Sequence, residues 1–284
     1  MAKSRPTPIT QKQVAAFLKP RPKDSHKGLF GTVTVIGGGS GMVGAALLAG
    51  RAALKMGAGC VHVGLLADNA PSVDVMQPEL MLHSASDALK STMPDVLVIG
   101  CGLGHSLAAQ KLLYDALLLD LPLLLDADAL NLIALRPDLR GMLHTRKAPA
   151  VFTPHPGEAA RLLACSTEDI QKDRAAAVRE LFKRLGGSVV LKGAGSLCAT
   201  RDGKLHLNQT GNPGMSSAGM GDVLSGMIAA FIAQGLSTDE ALLLGVHLHG
   251  AAGDELAKQQ ATLGMSATEV TEWARWLLNR WYPK

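Results

Sequence analysis

Short aliphatic runs alternate with longer stretches of helical period between residues 32 and 192, and this alternation constrains the fold more than any other feature of the sequence. Six runs read as strands: Thr32–Ile36, Cys60–Leu66, Val96–Ile99, Leu123–Leu125, Ala150–Phe152 and Val189–Lys192. Between them, Ala45–Met56, Leu107–Leu118, Pro156–Leu163 and Ile170–Leu185 read as helices. The pattern predicts βαβ units around a mainly parallel sheet. After Lys192 it changes to a hairpin, Leu197–Thr200 and Leu205–Leu207, turned at Asp202-Gly203. Two nearly uncharged helices follow, at about Gly221–Gln234 and Asp239–Lys258, and these should be buried on most sides. The last helix opens with the capping box Ser266-x-x-Glu269 and carries Trp273, Trp276 and Trp281, a cluster suited to the core or to a subunit interface. No repeat or linker divides the chain, so one domain over residues 1–284 is expected, with an N-terminal appendage to about Lys23.

Composition narrows the function. Hydrophobic residues at 47% and charged residues at 18% exclude a disordered chain, and 4% aromatic residues imply an aliphatic core. The net charge of +4 comes without a Lys/Arg run, which excludes nucleic acid as the expected partner and suits a pocket for anionic small molecules. Four widely spaced cysteines with no C-x-x-C pair point to free thiols and away from zinc. The longest uncharged stretch, Val223 to Thr238, falls short of a bilayer span, so no membrane partner and a cytoplasmic location are expected.

Three glycine-rich turns carry the candidate chemistry. Gly39-Ser-Gly-Met-Val-Gly44 matches G-x-G-x-x-G between a strand and a helix, with Asp68 past the second strand. That context allows an NAD-dependent oxidoreductase, although Asp68 lies further on than the roughly 20 residues such a turn calls for. Gly100-Cys-Gly-Leu-Gly104 directly follows another strand, so two turns place backbone N–H groups along one rim of the sheet, where open α/β sheets bind ligands. The third, Ser217-Ala-Gly-Met-Gly-Asp222-Val-Leu-Ser-Gly226, opens a long apolar helix. Gly219, Met220 and Gly221 would form an anion hole there, strengthened by the helix dipole. Asp222 in the first turn suits a base that takes a proton from a hydroxyl while phosphoryl charge is stabilised. His247 and His249 lie two apart on a helix and cannot form an i, i+4 metal pair.

G-x-G-D at the head of a late apolar helix resembles the ribokinase superfamily, and there is no G-x-x-x-x-G-K-[ST] to indicate a P-loop kinase. Several stretches together resemble one family within it, the ADP-dependent NAD(P)H-hydrate dehydratases. They are Lys27-Gly-x-x-Gly31-x-Val-x-Val-Ile-Gly-Gly, Gly44-Ala45, Pro78-Glu79, Gly102-Leu-Gly104, Asp126-Ala-Asp-Ala-Leu-Asn131, Thr153-Pro-His-Pro-Gly-Glu158, Lys192-Gly193, Gly211-Asn-Pro-Gly214 and Gly219-Met-Gly-Asp222.

The resemblance implies a ribokinase-like three-layer α/β/α fold and repair of the hydrated dinucleotides NADHX and NADPHX in the S form. ADP is the implied co-substrate, with AMP and phosphate as products. By resemblance, Asp222 is the catalytic base. Ala45, Gly104, His155 and Asp222 contact the hydrate, and Lys192, Gly193, Ala194, Gly195, Ser196 and Gly221 hold the nucleotide. Mg2+ is the implied cofactor, without firm ligands; Asp128 reads equally as a helix N-cap or as a residue near phosphate, and Glu158 as a water-mediated neighbour of the ion. A cytoplasmic homo-oligomer, with a tetramer among its candidate states, and the absence of an epimerase domain complete the expectation.

One departure tests the resemblance, and one motif separates it from its nearest alternative. Met220 stands where Thr or Ser is common, a position that needs to supply only a backbone N–H. Thr153-Pro-His155 stands where vitamin-precursor kinases of the superfamily often show T-P-N, and such a kinase is the nearest alternative. A nucleotide sensor without turnover is a further class, and an intact Asp222 speaks against it.

Overall fold

The computed structural model describes residues 5–260 and 262–283; the first four residues of the expected N-terminal appendage lie outside them. The strands are β1 (Thr7–Pro8), β2 (Thr32–Gly37), β3 (Cys60–Leu65), β4 (Met81–Ser84) and β5 (Val96–Ile99). They continue with β6 (Leu123–Leu125), β7 (Ala150–Phe152), β8 (Ser188–Leu191), β9 (Leu197–Ala199) and β10 (Leu205–Leu207). The helices are α1 (Gln11–Ala15), α2 (Val43–Lys55), α3 (Ala85–Ser91), α4 (Leu107–Leu118), α5 (Ala127–Leu135) and α6 (Pro137–Thr145). After them come α7 (Pro156–Leu163), α8 (Thr167–Lys172), α9 (Arg174–Leu185), α10 (Met220–Ala233), α11 (Thr238–Gln259) and α12 (Ala267–Trp281).

All ten strands join one sheet in the order β1-β10-β9-β8-β7-β6-β5-β2-β3-β4. Pairing is parallel from β8 through β4, and β9 is antiparallel to both β8 and β10. Successive residues of each strand face opposite sides. Val96 and Val98 therefore enter one core with α2, α10, α11 and α12, while Leu97 and Ile99 enter a second core with α3, α4, α5, α7 and α9. The result is the three-layer α/β/α arrangement, built on strands that are apolar on both faces.

The layer formed by α2 and α10 is unusually close. A Cβ on Gly226 would stand 2.0 Å from the Ala49 carbonyl oxygen, so only glycine lets the two backbones approach.

Three local expectations change. Ile170–Leu185 is not one helix: Asp173 adopts φ −143° and its carboxylate accepts the Ala176 N–H at 2.9 Å, which ends α8 and caps α9. The edge strand β4, Met-Leu-His-Ser, has no aliphatic run to announce it. The N-terminal segment is knit into the fold. There β1 runs parallel to β10, Ile9 and Val14 are buried, and the Tyr282 hydroxyl donates to the Lys19 carbonyl at 2.6 Å.

Trp273 and Trp276 form an edge-on pair at 5.3 Å, Trp281 packs against His247, and Trp276 remains exposed. Among the described residues, no helix is long and apolar enough to cross a membrane.

Candidate active site

The first two glycine turns close on each other across the rim. Gly38 N–H donates to the Cys101 carbonyl at 3.0 Å and Gly39 N–H to the Gly102 carbonyl at 2.6 Å. Ala45 opens α2 beside them, its Cβ 3.1 Å from where a Cβ on Gly102 would stand. Gly104 holds a positive φ of 75°, and its N–H donates to Asp128 Oδ2 at 2.8 Å. Of the two readings of Asp128, the helix N-cap is the one the structure overturns. Asp126 takes the N-cap position of α5, and Asp128 sits in the first turn with its carboxylate on the glycine turn.

Facing this floor is the head of α10. Gly219 is its N-cap in the left-handed region, φ 86°, and has no side chain to satisfy the first N–H groups, which have no carbonyl of their own helix to bond. Met220 turns its side chain into the core, so the departure from Thr or Ser leaves the backbone of the turn available. Asp222 lies in the first turn, and burial pushes its carboxyl up to about 6, reinforced by the nearby Asp126 charge. An oxygen of Asp222, one of Asp126 and the buried Cys101 Sγ all lie within 4.8 Å of one another.

Beneath the turn is a buried charged network that sequence spacing does not reveal. Lys192 Nζ pairs with Asp126 Oδ1 at 2.9 Å, and Ser225 Oγ donates to Asp126 Oδ2 at 2.9 Å. Burial acts to lower the Lys192 ammonium, but Asp126 and Glu158 outweigh it and hold the group charged above its ordinary value. Glu158 is itself buried, and desolvation raises its carboxyl to about 7.

His155 caps α7. Its Nδ1 accepts from the Gly157 and Glu158 N–H groups at 3.0 and 3.3 Å, and its Nε2 lies 3.2 Å from Glu158 Oε1. With Nδ1 accepting, the ring is neutral and the proton sits on Nε2; burial lowers its pKa and Lys192 adds to the effect.

A cavity of about 470 Å3 opens beside Lys192 and is lined by the whole Lys192–Ser196 turn, Met220 and Gly221. The sequence-expected nucleotide residues therefore share one wall. The opposite wall comes from Asn208–Pro213 and from His249 and Gly250 of α11. Arg174 pins the turn from behind, its guanidinium donating to the Leu191 and Lys192 carbonyls at 3.2 and 3.3 Å. Asp254 does the same for the far loop through Gly211 N–H and Asn212.

Ala45, Gly104, His155 and Asp222 do not line this cavity. Asp68 sits elsewhere, in a larger groove of about 1050 Å3 beside α3 and α4 that none of the anion-hole residues enters. Cys101, Asp126, Arg174, Ser225 and His249 were not singled out from sequence as site residues. The signal for Asp126 is its place at the head of the Asp126-Ala-Asp-Ala-Leu-Asn131 stretch, which assigns it no role.

The donor set can be tested against Mg2+. Among the described residues, the one close group of three candidate ligands is Cys101, Asp126 and Asp222. A thiol is a poor ligand for so hard a cation, and both oxygens of Asp126 already accept hydrogen bonds. Asp222 is the carboxylate left to face an ion that takes the rest of its shell from phosphate and water.

An aspartate at the head of a glycine-led helix, beside a cavity and a fixed ammonium on this sheet, places the chain in the ribokinase-like class. Comparison with known proteins narrows the class. Residues 33–275 match the family model for NAD(P)H-hydrate dehydratase, and the chain belongs to that family. It is 43% identical over 267 residues to the ADP-dependent (S)-NAD(P)H-hydrate dehydratase of Neisseria meningitidis, covering 92% of this chain and 90% of that protein. It is 45% identical over 265 residues to the bifunctional NAD(P)H-hydrate repair enzyme of Escherichia coli K12, covering 92% of this chain and half of that protein. The ADP/ATP-dependent NAD(P)H-hydrate dehydratase of Bacillus subtilis, co-crystallised with ATP and Mg2+, superposes with a TM-score of 0.87 at 31% identity, covering 98% of this chain and 99% of that one. The oxidoreductase reading of the first glycine turn falls with these matches.

Proposed function

We propose that this chain removes water from the S form of hydrated NADH and NADPH, using ADP as phosphoryl donor and releasing AMP and phosphate. The observation that carries the reading is Asp222: a half-buried carboxyl raised to about 6, at the mouth of a helix N-terminus, between the glycine floor and the cavity beside Lys192.

In this reading the hydrated ring lies on Ala45 and Gly104 with His155 at its edge, and the nucleotide occupies the cavity lined by Lys192–Ser196 and Gly221. Asp222 takes the proton of the ring hydroxyl as its oxygen attacks the terminal phosphorus of ADP, and AMP leaves. N–H groups of Gly219, Met220 and Gly221 stabilise the equatorial oxygens during transfer. The ring nitrogen's lone pair then expels phosphate from the ring carbon, and loss of a proton from the neighbouring carbon restores the alkene. Mg2+, when bound, would neutralise phosphate charge, with Asp222 as the carboxylate that would face it. A reducing cytoplasmic setting agrees with the four free cysteines.

The test is direct. Incubated with NADH hydrate and ADP, the protein should restore nicotinamide absorbance with AMP and phosphate appearing one-to-one with NADH. A stable phosphorylated small molecule in their place would move the chain to the kinases of the superfamily.

A further inference from the structure

Asp126 occupies the N-cap position of α5, yet its side chain makes no capping bond. An aspartate at that position ordinarily satisfies the free N–H groups of its own helix. Here both oxygens are turned elsewhere: Oδ1 to Lys192 Nζ and Oδ2 to Ser225 Oγ on α10, each at 2.9 Å. Asp126 is 1% exposed and Ser225 0%. A long flexible lysine stem is thus held at its tip from β6–α5, while α10 holds the carboxylate that holds it.

The place where the ammonium is held matters more than the pairing. A Cβ on Gly221 would come within 3.0 Å of Lys192 Nζ and 3.6 Å of Asp126 Oδ2. The charge therefore stands against the anion hole of Gly219–Asp222, at that end of the cavity, and not merely somewhere along the nucleotide wall. Its side chain keeps 19% exposure and lines the cavity. A buried ion pair is a weak source of stability, because desolvating two charges costs about what their attraction returns. A fixed positive charge is worth much more where negative charge develops on a phosphoryl group in transit.

We propose that Lys192 is the cation that neutralises the phosphoryl group during transfer and that Asp126 is the positioning residue that aims it, an inference that rests on phosphoryl transfer at Asp222. This goes beyond a nucleotide contact, because it ties Lys192 to the transferred phosphate and gives Asp126 a role through Lys192.

Calorimetric titration with AMP and with ADP separates the two possibilities, since AMP lacks the group that is transferred. Lys192→Met should weaken ADP about 10-fold, leave AMP within about 3-fold and lower kcat by at least ~10²-fold. Lys192→Arg, which keeps the charge, should recover part of the preference for ADP over AMP. Asp126→Asn keeps the shape and should lower kcat about 10-fold or more with little change in the KM for ADP. The double variant Lys192→Met/Asp126→Asn removes both charges of the pair, so it reports turnover even where a single variant fails to fold, and its kcat should stay low.

Equal losses of AMP and ADP binding in Lys192→Met would assign the lysine to the nucleoside and overturn the inference. Unchanged kcat in Asp126→Asn, or normal turnover by the double variant, would overturn it too. If the wild-type protein leaves NADH hydrate untouched but discriminates ADP from AMP through Lys192, the dehydratase reading fails while the contact with the terminal phosphate stands.

Discussion

The thiol of Cys101 lies against the carboxylate of Asp222, the two within 4.8 Å in a pocket that also holds an oxygen of Asp126. Cys101 is fully buried, and desolvation together with the charges of Asp222 and Asp126 holds its thiol well above the ordinary range. It therefore stays protonated, and its interaction with Asp222 favours the ionised carboxylate, opposing the burial that raises that carboxyl to about 6. One residue of a glycine turn thus bears on the ionisation of a residue on α10.

The pH profile should show this opposition. A base must be ionised to accept a proton, so kcat/KM should fall as pH drops through about 6. Cys101→Ala removes a bond that favours the ionised form and should move that limb to higher pH by about half a unit, the worth of a weak hydrogen bond of ~0.7 kcal/mol. Cys101→Ser keeps a donor and should leave the limb near its original place. Superimposable profiles for all three proteins would remove Cys101 from the control of Asp222.

Asp222→Asn should keep the fold and nucleotide binding while lowering turnover by at least ~10²-fold, the scale of a positioned general base. Its stability should change in the opposite sense. The carboxyl is raised in the folded protein from 3.8 to about 6, so its favourable contribution is complete below about 3.8 and is lost as pH rises through about 6. Ionised Asp222 is then a cost that asparagine avoids. The melting temperature of the variant should exceed that of the parent by a margin that grows from pH 4 to about pH 7 and is flat above, worth about 1–2 kcal/mol with allowance for partial exposure. A margin independent of pH would contradict the raised carboxyl.

What the sequence discloses follows from what is local. The strands Val96–Ile99, Leu123–Leu125 and Ala150–Phe152 begin and end where their apolar runs do, because burial on both faces leaves no polar position inside them. Half-exposed β4 gives no such run, and the break between α8 and α9 depends on Asp173 choosing to cap within an otherwise helical stretch. The same division holds at the site. Lys192–Ser196 and the Gly219–Asp222 turn are contiguous and legible as motifs. The pairings of Asp126 with Lys192 and with Ser225 join residues 66 and 99 positions apart. Sheet order and the close approach of α2 to α10 bring those partners together, and no spacing rule encodes either.

Two glycine substitutions should have opposite signs. In Gly226→Ala the new Cβ would stand 2.0 Å from the Ala49 carbonyl oxygen, backbone that cannot rotate away. The α2–α10 layer must separate, and the loss should be about 3 kcal/mol despite the better helix propensity of alanine. Gly141 lies exposed within α6 with nothing within 4 Å of a Cβ, so Gly141→Ala should stabilise by up to about 1 kcal/mol. Chemical denaturation of both variants measures the difference, and equal effects would deny that the layer spacing is set at Gly226.

His155 must be tested for two roles at once, because the structure gives it a local duty that the sequence left open. Its Nδ1 accepts from Gly157 and Glu158 as the cap of α7, while the side chain keeps half its surface exposed. His155→Ala should lose about 1 kcal/mol of stability from the cap. If the ring also orients the hydrated nicotinamide, kcat/KM for the hydrate should fall by a further 1–3 kcal/mol, roughly 5- to 150-fold, with nucleotide affinity unchanged. His155→Asn separates the contributions, since asparagine is as good an N-cap but cannot place a ring against the substrate. It should restore the melting temperature and leave kcat/KM low. An asparagine variant with normal melting and normal kcat/KM would confine His155 to the helix and remove it from the substrate side of the site.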